Sequence, residues 1–264
     1  MNSKLLQLMN VIAVLGTILL NAMANIIPFN NVNTGQVSDA YPNLFTPPGY
    51  VFAIWGAIYT LIFAFMVYQV RSSQREKSYL HAIGPLYLIG AIVNIAWLIL
   101  FHFSYGNPTL FLVTPVMIGL FLVILLWTYI RVGIGTAEVP RGEKLAVHLP
   151  LSVYLGWISL ATIANIASAL NIIFPGIPLD TQALWTALII VVALVLTMLM
   201  LVKRRDVAYG LVVIWASVGI ATKQAAYSII YMTALGAVIV IILAILLLPF
   251  IMKKNPKDFY LAKN

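Results

Sequence analysis

Aromatic and amide side chains recur at helical spacing in three separate stretches of the chain. Phe52, Trp55, Tyr59 and Phe63 form the first set, Tyr87, Asn94, Trp97 and Phe101 the second, and Tyr154, Trp157, Ala161 and Asn165 the third. Residues three or four apart share one helix face, so each set is a stripe. Three such stripes, facing one another, would enclose flat apolar walls with a few amide and hydroxyl groups for orientation, which is the make-up of a small-ligand site. The same stripes also suit packing alone, since buried aromatics often only fill space and a buried Asn often only bonds a neighbouring helix.

Other chemistry is thinly represented. There is no cysteine, which excludes disulfides, thiolate metal sites, iron–sulfur clusters and a cysteine nucleophile. His102 and His148 fall near span ends on opposite sides and His81 in a basic internal loop, so no shared metal site is expected, and His102 alone could offer an axial ligand to a haem. Lys223 beside Gln224 lacks a carboxylate counter-ion in neighbouring spans and reads as a lysine snorkelling to the interface rather than a Schiff-base site. The acidic residues sit in loops or at span ends and form no carboxylate pair or proton relay. Walker, HExxH and GxSxG patterns are absent. Enzymatic activity is therefore not expected from the residues themselves, and no catalytic residue, metal or required cofactor is assigned.

The elements that must position the stripes follow from composition. Of 264 residues 62% are hydrophobic and 8% charged, against roughly 25% charged in soluble domains, and mean hydropathy is +1.02. Apolar runs long enough to cross a bilayer recur at about 7–27, 49–70, 82–103, 109–130, 146–170, 182–202, 208–222 and 229–252. The seventh is the shortest. Their length and lack of alternation require helices rather than barrel strands. The fold expected is an all-α polytopic bundle of about eight spans.

Basic residues occupy alternate connections: Lys4; Arg71, Arg75 and Lys77; Arg131, Arg141 and Lys144; Lys203, Arg204 and Arg205; Lys253, Lys254, Lys257 and Lys263. The other connections hold Asp39, Asp180 and at most Lys223. This is the positive-inside pattern, so the net charge of +8 marks topology rather than nucleic-acid binding. It places both termini in the cytoplasm of a multi-pass protein of the cell (inner) membrane. Lys4, the apolar run to Leu20, Ala22 and Ala24 would also suit a secretory signal, a reading that charge parity alone does not decide.

The connection 28–48, with Pro28, Asn30, Asn31, Asn33, Gly35 and Pro48, is a turn-rich external loop with the length of a lid or binding segment. Near 172–181, Phe174, Pro175, Gly176 and Pro178 interrupt the helical period. Upstream spans are rich in Trp, Tyr and Asn; downstream spans are aliphatic. The division expected is a ligand-binding bundle over 1–172 and a three-helix membrane extension with a short basic tail over 173–264.

The segment Pro47-Pro48-Gly49-Tyr50-Val51-Phe52, followed by Trp55 and Tyr59, resembles the helix entry of the translocator-protein family, the tryptophan-rich sensory or TspO-like proteins, with Tyr50 in place of Trp. Asn94 and Trp97 are similar to the pair on the family's third helix. Tyr154, Trp157, Ala161 and Asn165 fit the fifth-helix pattern, with Pro150 displaced by three residues and Leu160 in place of Phe. The resemblance covers about residues 5–172 and favours retention of the first helix. It implies a five-helix fold whose cavity is closed by the loop after the first helix and holds tetrapyrroles, sterol-like lipids or amphipathic ligands.

On that basis a hydrophobic ligand, tetrapyrrole-like or lipid-like, is expected to meet Phe45, Pro47, Pro48, Tyr50, Phe52, Trp55, Tyr59, Asn94, Trp97, Phe101, Tyr154, Trp157, Ala161 and Asn165. A bound porphyrin or haem-like tetrapyrrole is the implied occupant; membrane lipids and a further copy of the chain in a homo-oligomer are the other partners considered. The implied role is a receptor or sensor. The alternatives are a transporter or permease for an amphipathic molecule, or light-dependent porphyrin degradation, for which Trp55 and Trp157 would donate an electron or hydrogen atom. Two departures bear on this. The loop 28–48 has no tryptophan, Phe45 and Tyr41 standing nearest, and Ser168, Ala169, Leu170 and Asn171 lack the Tyr and Arg of a cholesterol-recognition segment.

Overall fold

A computed structural model describes residues 1–253, 255 and 259. Lys254, Lys257 and Lys263, read above as part of the basic tail, lie outside the described residues. Those described form helices and connections with no strand. The helices are α1 (Ser3–Ile26), α2 (Thr34–Ala40), α3 (Ile54–Gln69), α4 (Ser78–Ile83), α5 (Leu86–Phe103), α6 (Pro108–Phe111), α7 (Thr114–Val132), α8 (Arg141–Glu143), α9 (Leu149–Ile173), α10 (Leu179–Arg204), α11 (Val207–Lys223) and α12 (Ser228–Ile251).

Seven of the helical segments are long and apolar enough to cross a membrane, and α11, at 17 residues, is shorter. A helix of that length rises about 25 Å, a little short of a hydrocarbon core of roughly 30 Å. The reason is visible at its ends: Asp206 caps the first turn through Tyr209 N–H at 3.0 Å, and Lys223 closes the last turn, exposed. With its mainly aliphatic outer surface, the chain is a multi-pass membrane protein.

Helix packing gives the bundle its shape. α1 packs on α5, α5 on α7, α7 on α9, α9 on α3, and α3 on α1, closing a ring of five. α10, α11 and α12 pack on one another, and α11 joins them to the ring through α9. Gly156 allows that junction: a Cβ there would stand 3.2 Å from Val212 Cβ.

Polar residues inside the ring hold helices together. Gln7 donates to the carbonyls of Gln69 at 2.5 Å and Arg71 at 3.1 Å, while Gln69 returns a bond to Gln7 O at 3.2 Å. Asn21 Nδ2 donates to Asn94 Oδ1 at 3.1 Å, linking α1 to α5. In an apolar surrounding each such bond matters because its partners have no water to fall back on.

Two sequence expectations need correction. Phe63 was placed on the inward stripe of its helix, but it is 50% exposed on the outside of the bundle; the helical angle has drifted too far by the third turn for it to follow Trp55. The connection 28–48 is not simply a turn-rich loop. It contains α2, whose start is fixed by a reciprocal cap in which Asn33 Oδ1 accepts Gln36 N–H and Gln36 Oε1 accepts Asn33 N–H.

Candidate functional site: an aromatic cavity under the first connection

At the end of the ring opposite the basic connections, α3, α5 and α9 bring their aromatic faces together beneath residues 34–47. Pro48 starts the entry to α3, where a short tight turn over Gly49–Ala53 leads into the helix and sets Phe52 and Trp55 against α9. Trp157 meets both rings edge to face, at 5.8 Å from Phe52 and 6.0 Å from Trp55. Trp97 stacks on Phe101 at 5.1 Å across the space. Edge-to-face and offset-stacked pairs are the favoured arrangements of aromatic quadrupoles.

Between these rings lies a small cavity with about 60 Å³ of room for the centre of a water-sized molecule. One water needs about 10–15 Å³ in that measure, so the space holds on the order of four. Of the residues expected at the site, Phe45, Pro47, Phe52, Trp55, Trp97, Phe101, Trp157, Ala161 and Asn165 line it. Pro48, Tyr50, Tyr59, Asn94 and Tyr154 do not.

The five have other surroundings. Pro48 and Pro47 pack against Gly219 of α11, which has no room for a Cβ beside Val51. Tyr50 is exposed, stands edge to face with Trp215 at 5.9 Å and shares a hydrogen bond with Thr222. Tyr59 stacks behind Trp55 at 5.6 Å, and Tyr154 packs between Trp55 and Phe121 one layer deeper. Asn94 Oδ1 accepts from Asn21, while its Nδ2 is buried without a partner away from the cavity.

The lining also includes residues not anticipated from the sequence. Leu160, Ala164 and Ser168 continue the face of Trp157 and Ala161 along α9, a periodicity that could have been followed further. Thr34 and Ser38, one turn apart on α2, come from the first connection, and Phe111 from α6. Ala216 and Ile220 come from α11; nothing local in that aliphatic stretch distinguishes them, because the ring of five reaches them only through tertiary packing.

Polar atoms at the site divide into satisfied and unsatisfied. Asn165 Oδ1 accepts the Thr114 hydroxyl at 2.9 Å. The indole N–H groups of Trp97 and Trp157 are both buried with no hydrogen-bond partner. Burying an unpaired donor costs about 1–3 kcal/mol, and both indoles belong to residues that line the cavity. His102, just beyond, is fully buried with Nδ1 on the Leu98 carbonyl at 2.8 Å and Nε2 unpartnered; it packs on Phe29 and does not line the cavity.

The connection above the cavity is tied down at several points. Asn43 Nδ2 donates to Thr46 Oγ1 and Ser168 Oγ, each at 2.7 Å, and to Ala164 O at 3.2 Å, while its Oδ1 accepts the N–H groups of Phe45 and Thr46. Ser168 Oγ donates to Tyr41 O at 2.6 Å, and the Tyr41 hydroxyl donates to Ser104 O. Burial pushes the Tyr41 phenol above its ordinary range, which keeps it a donor. From the far side Trp215 Nε1 donates to Val51 O at 2.9 Å, so α11 clasps the entry to α3.

With this geometry in view, the sequence profile of the TSPO-like protein family matches residues 7–247. The chain belongs to the TSPO-like family. The match runs through α10 and α11 and most of α12, beyond the part of the chain in which the family's motifs were legible. No curated protein and no solved structure matches the chain.

Proposed function

We propose that this TSPO-like protein is a receptor-type membrane protein that holds one hydrophobic small molecule bearing a hydrogen-bond acceptor in the cavity beneath residues 34–47. The observation that carries this reading is that, among walls that are mainly aromatic and aliphatic with Thr34, Ser38, Thr46, Asn165 and Ser168 between them, two lining residues, Trp97 and Trp157, keep buried indole N–H groups without a partner. A carbonyl or carboxylate would satisfy them, whereas a plain hydrocarbon would leave both unpaired. Small-ligand sites usually offer about 300–1,000 Å³, far more than this cavity. A tetrapyrrole-sized guest therefore requires the connection 28–48 to lift, giving that segment the role of a lid. Alternating basic connections support termini on the cytoplasmic side of the cell membrane, with the cavity toward the outer side.

A titration followed by tryptophan fluorescence tests the reading. A polycyclic quinone and its parent hydrocarbon are compared in detergent, with protoporphyrin as the large-ligand arm. The quinone should quench saturably and bind about tenfold tighter than the hydrocarbon, the worth of about one charge-free buried hydrogen bond. Trp97→Phe with Trp157→Phe should abolish that preference. No saturable quenching, or the same preference in the double variant, contradicts the proposal. In proteoliposomes a receptor gives no ligand flux, which separates it from a permease.

A further inference from the structure

The opposite end of the molecule holds a second concavity that the aromatic cavity does not use. It is a crevice of about 1280 Å³ between the connection 133–140, the start of the fifth long span, and the corner joining α10 to α11. Its lining includes Arg141, Lys144, Lys203, Arg204, Arg205 and Lys253. Among the described lining residues, Glu138 and Asp206 are the acids that oppose them.

Asp206 is already committed: it is buried, accepts the Tyr129 hydroxyl at 2.8 Å and caps α11. Arg204 is partly committed too, donating at 3.4 Å to Ile134 O and lying over the Tyr129 ring, and Arg205 stacks on Phe259. Arg141, Lys144 and Lys203 have no hydrogen-bond or ion-pair partner among the described residues. Cations gathered in a concavity focus their field on whatever enters it.

Two further features show that the crevice is built rather than incidental. Its wall is fixed by Gly135, at φ +78, where a Cβ would overlap the Arg204 carbonyl, so the connection is seated directly on the end of α10. His148, one turn from Lys144, lines the crevice 4% exposed, with Nε2 buried and unpartnered. Next to these polar groups, Leu145, Leu149 and Ile245 supply an apolar wall, and Leu145 is 48% exposed toward the outside of the bundle.

We propose that this crevice is a binding site for a phosphate-bearing amphiphile, an acidic phospholipid whose headgroup meets Arg141, Lys144 and Lys203 while its acyl chain lies along Leu145 and Ile245. The phosphate chemistry is shared with soluble phosphates; the adjoining apolar wall at the end of the spans selects the lipid. Basic pockets between transmembrane helices are suited to such headgroups, and removing a cation near an acidic lipid surface weakens attraction roughly fivefold.

The test is native mass spectrometry of the full chain released from detergent containing equal amounts of dioleoyl phosphatidylglycerol and dioleoyl phosphatidylcholine. The wild type should retain phosphatidylglycerol preferentially. Arg141→Gln with Lys144→Gln should lose that preference at least tenfold, while Lys4→Gln with Arg71→Gln, on the same face but outside the crevice, should keep it. Lys203→Gln, on an exposed side chain, serves if the first variant fails to fold. Pyrophosphate addition separates the sources: displacement of retained lipid supports the shared site, and crevice-dependent pyrophosphate binding without lipid retention overturns the lipid assignment. Equal retention of the two lipids, or equal loss in the crevice and control variants, overturns the site itself.

Discussion

The two concavities of this protein differ in almost every physical respect. The aromatic cavity is small, walled mainly by aromatic and aliphatic side chains and covered by a hydrogen-bonded connection; the basic crevice is about twenty times larger in the same measure and lined with cations. In the first, a few neutral N–H donors gain strength from low dielectric surroundings. In the second, charge acts through water and salt weakens it. Selectivity by shape and one hydrogen bond therefore belongs to one end, and attraction by charge to the other. α11 is common to both: Ala216 and Ile220 reach the cavity, while Asp206, immediately before the helix, closes the crevice floor.

The largest expected disturbance is Gly135→Ala. Its Cβ would collide with backbone and its φ is left-handed, together costing about 3 kcal/mol or more. Thermal melting should drop, and loss of phosphatidylglycerol retention should accompany unchanged quinone quenching. A loss of both functions would show that the two ends are not independent.

Asn43→Ala should come next, because it removes the side chain that joins Phe45, Thr46, Ala164 and Ser168, at about 1–3 kcal/mol. Hydrogen exchange should rise across residues 28–48, and protoporphyrin should associate and dissociate faster. The crevice should be unaffected. Unchanged exchange in that segment would count against its role as a lid.

The smallest effect concerns Asp206. Burial raises its carboxyl above the usual carboxylate range, against the opposing hydrogen bonds from Tyr209, Ser152 and Tyr129. A raised folded-state value means that its contribution to stability is fully present below the unfolded value and is lost as pH rises through the folded one. Melts of wild type should show that decline from acidic pH upward, and Asp206→Asn should flatten it. A decline of equal size in the variant would assign the pH dependence to other groups.

Much of this architecture was legible because a bilayer leaves few choices. Length and hydropathy mark the seven long apolar helices and the shorter α11, and Pro47-Pro48 marks the entry to α3. The stripes of Trp55, Trp97 and Trp157 were readable because period and residue type agree. Three features were less accessible. Phe63 obeys the spacing yet faces outward, since spacing carries no information about how far a helix face stays in contact. Asn94 shares the stripe of Trp97 yet lies off the cavity lining, with its Oδ1 on Asn21 of α1, a helix whose facing direction the spacing does not fix. The contribution of α11 was invisible, because Ala216 and Ile220 become wall residues only through the glycine-mediated approach of α11 to Val51 and of α9 to Val212.

The central claim is that the cavity under residues 34–47 is where a hydrophobic ligand binds. Ala164→Phe puts a ring into that space from a residue whose side chain makes no hydrogen bond. Protoporphyrin and quinone titrations should then show no saturable tryptophan quenching, while melting temperature and phosphatidylglycerol retention stay near wild type. Saturable quenching of wild-type strength in Ala164→Phe would place the ligand elsewhere and contradict the account.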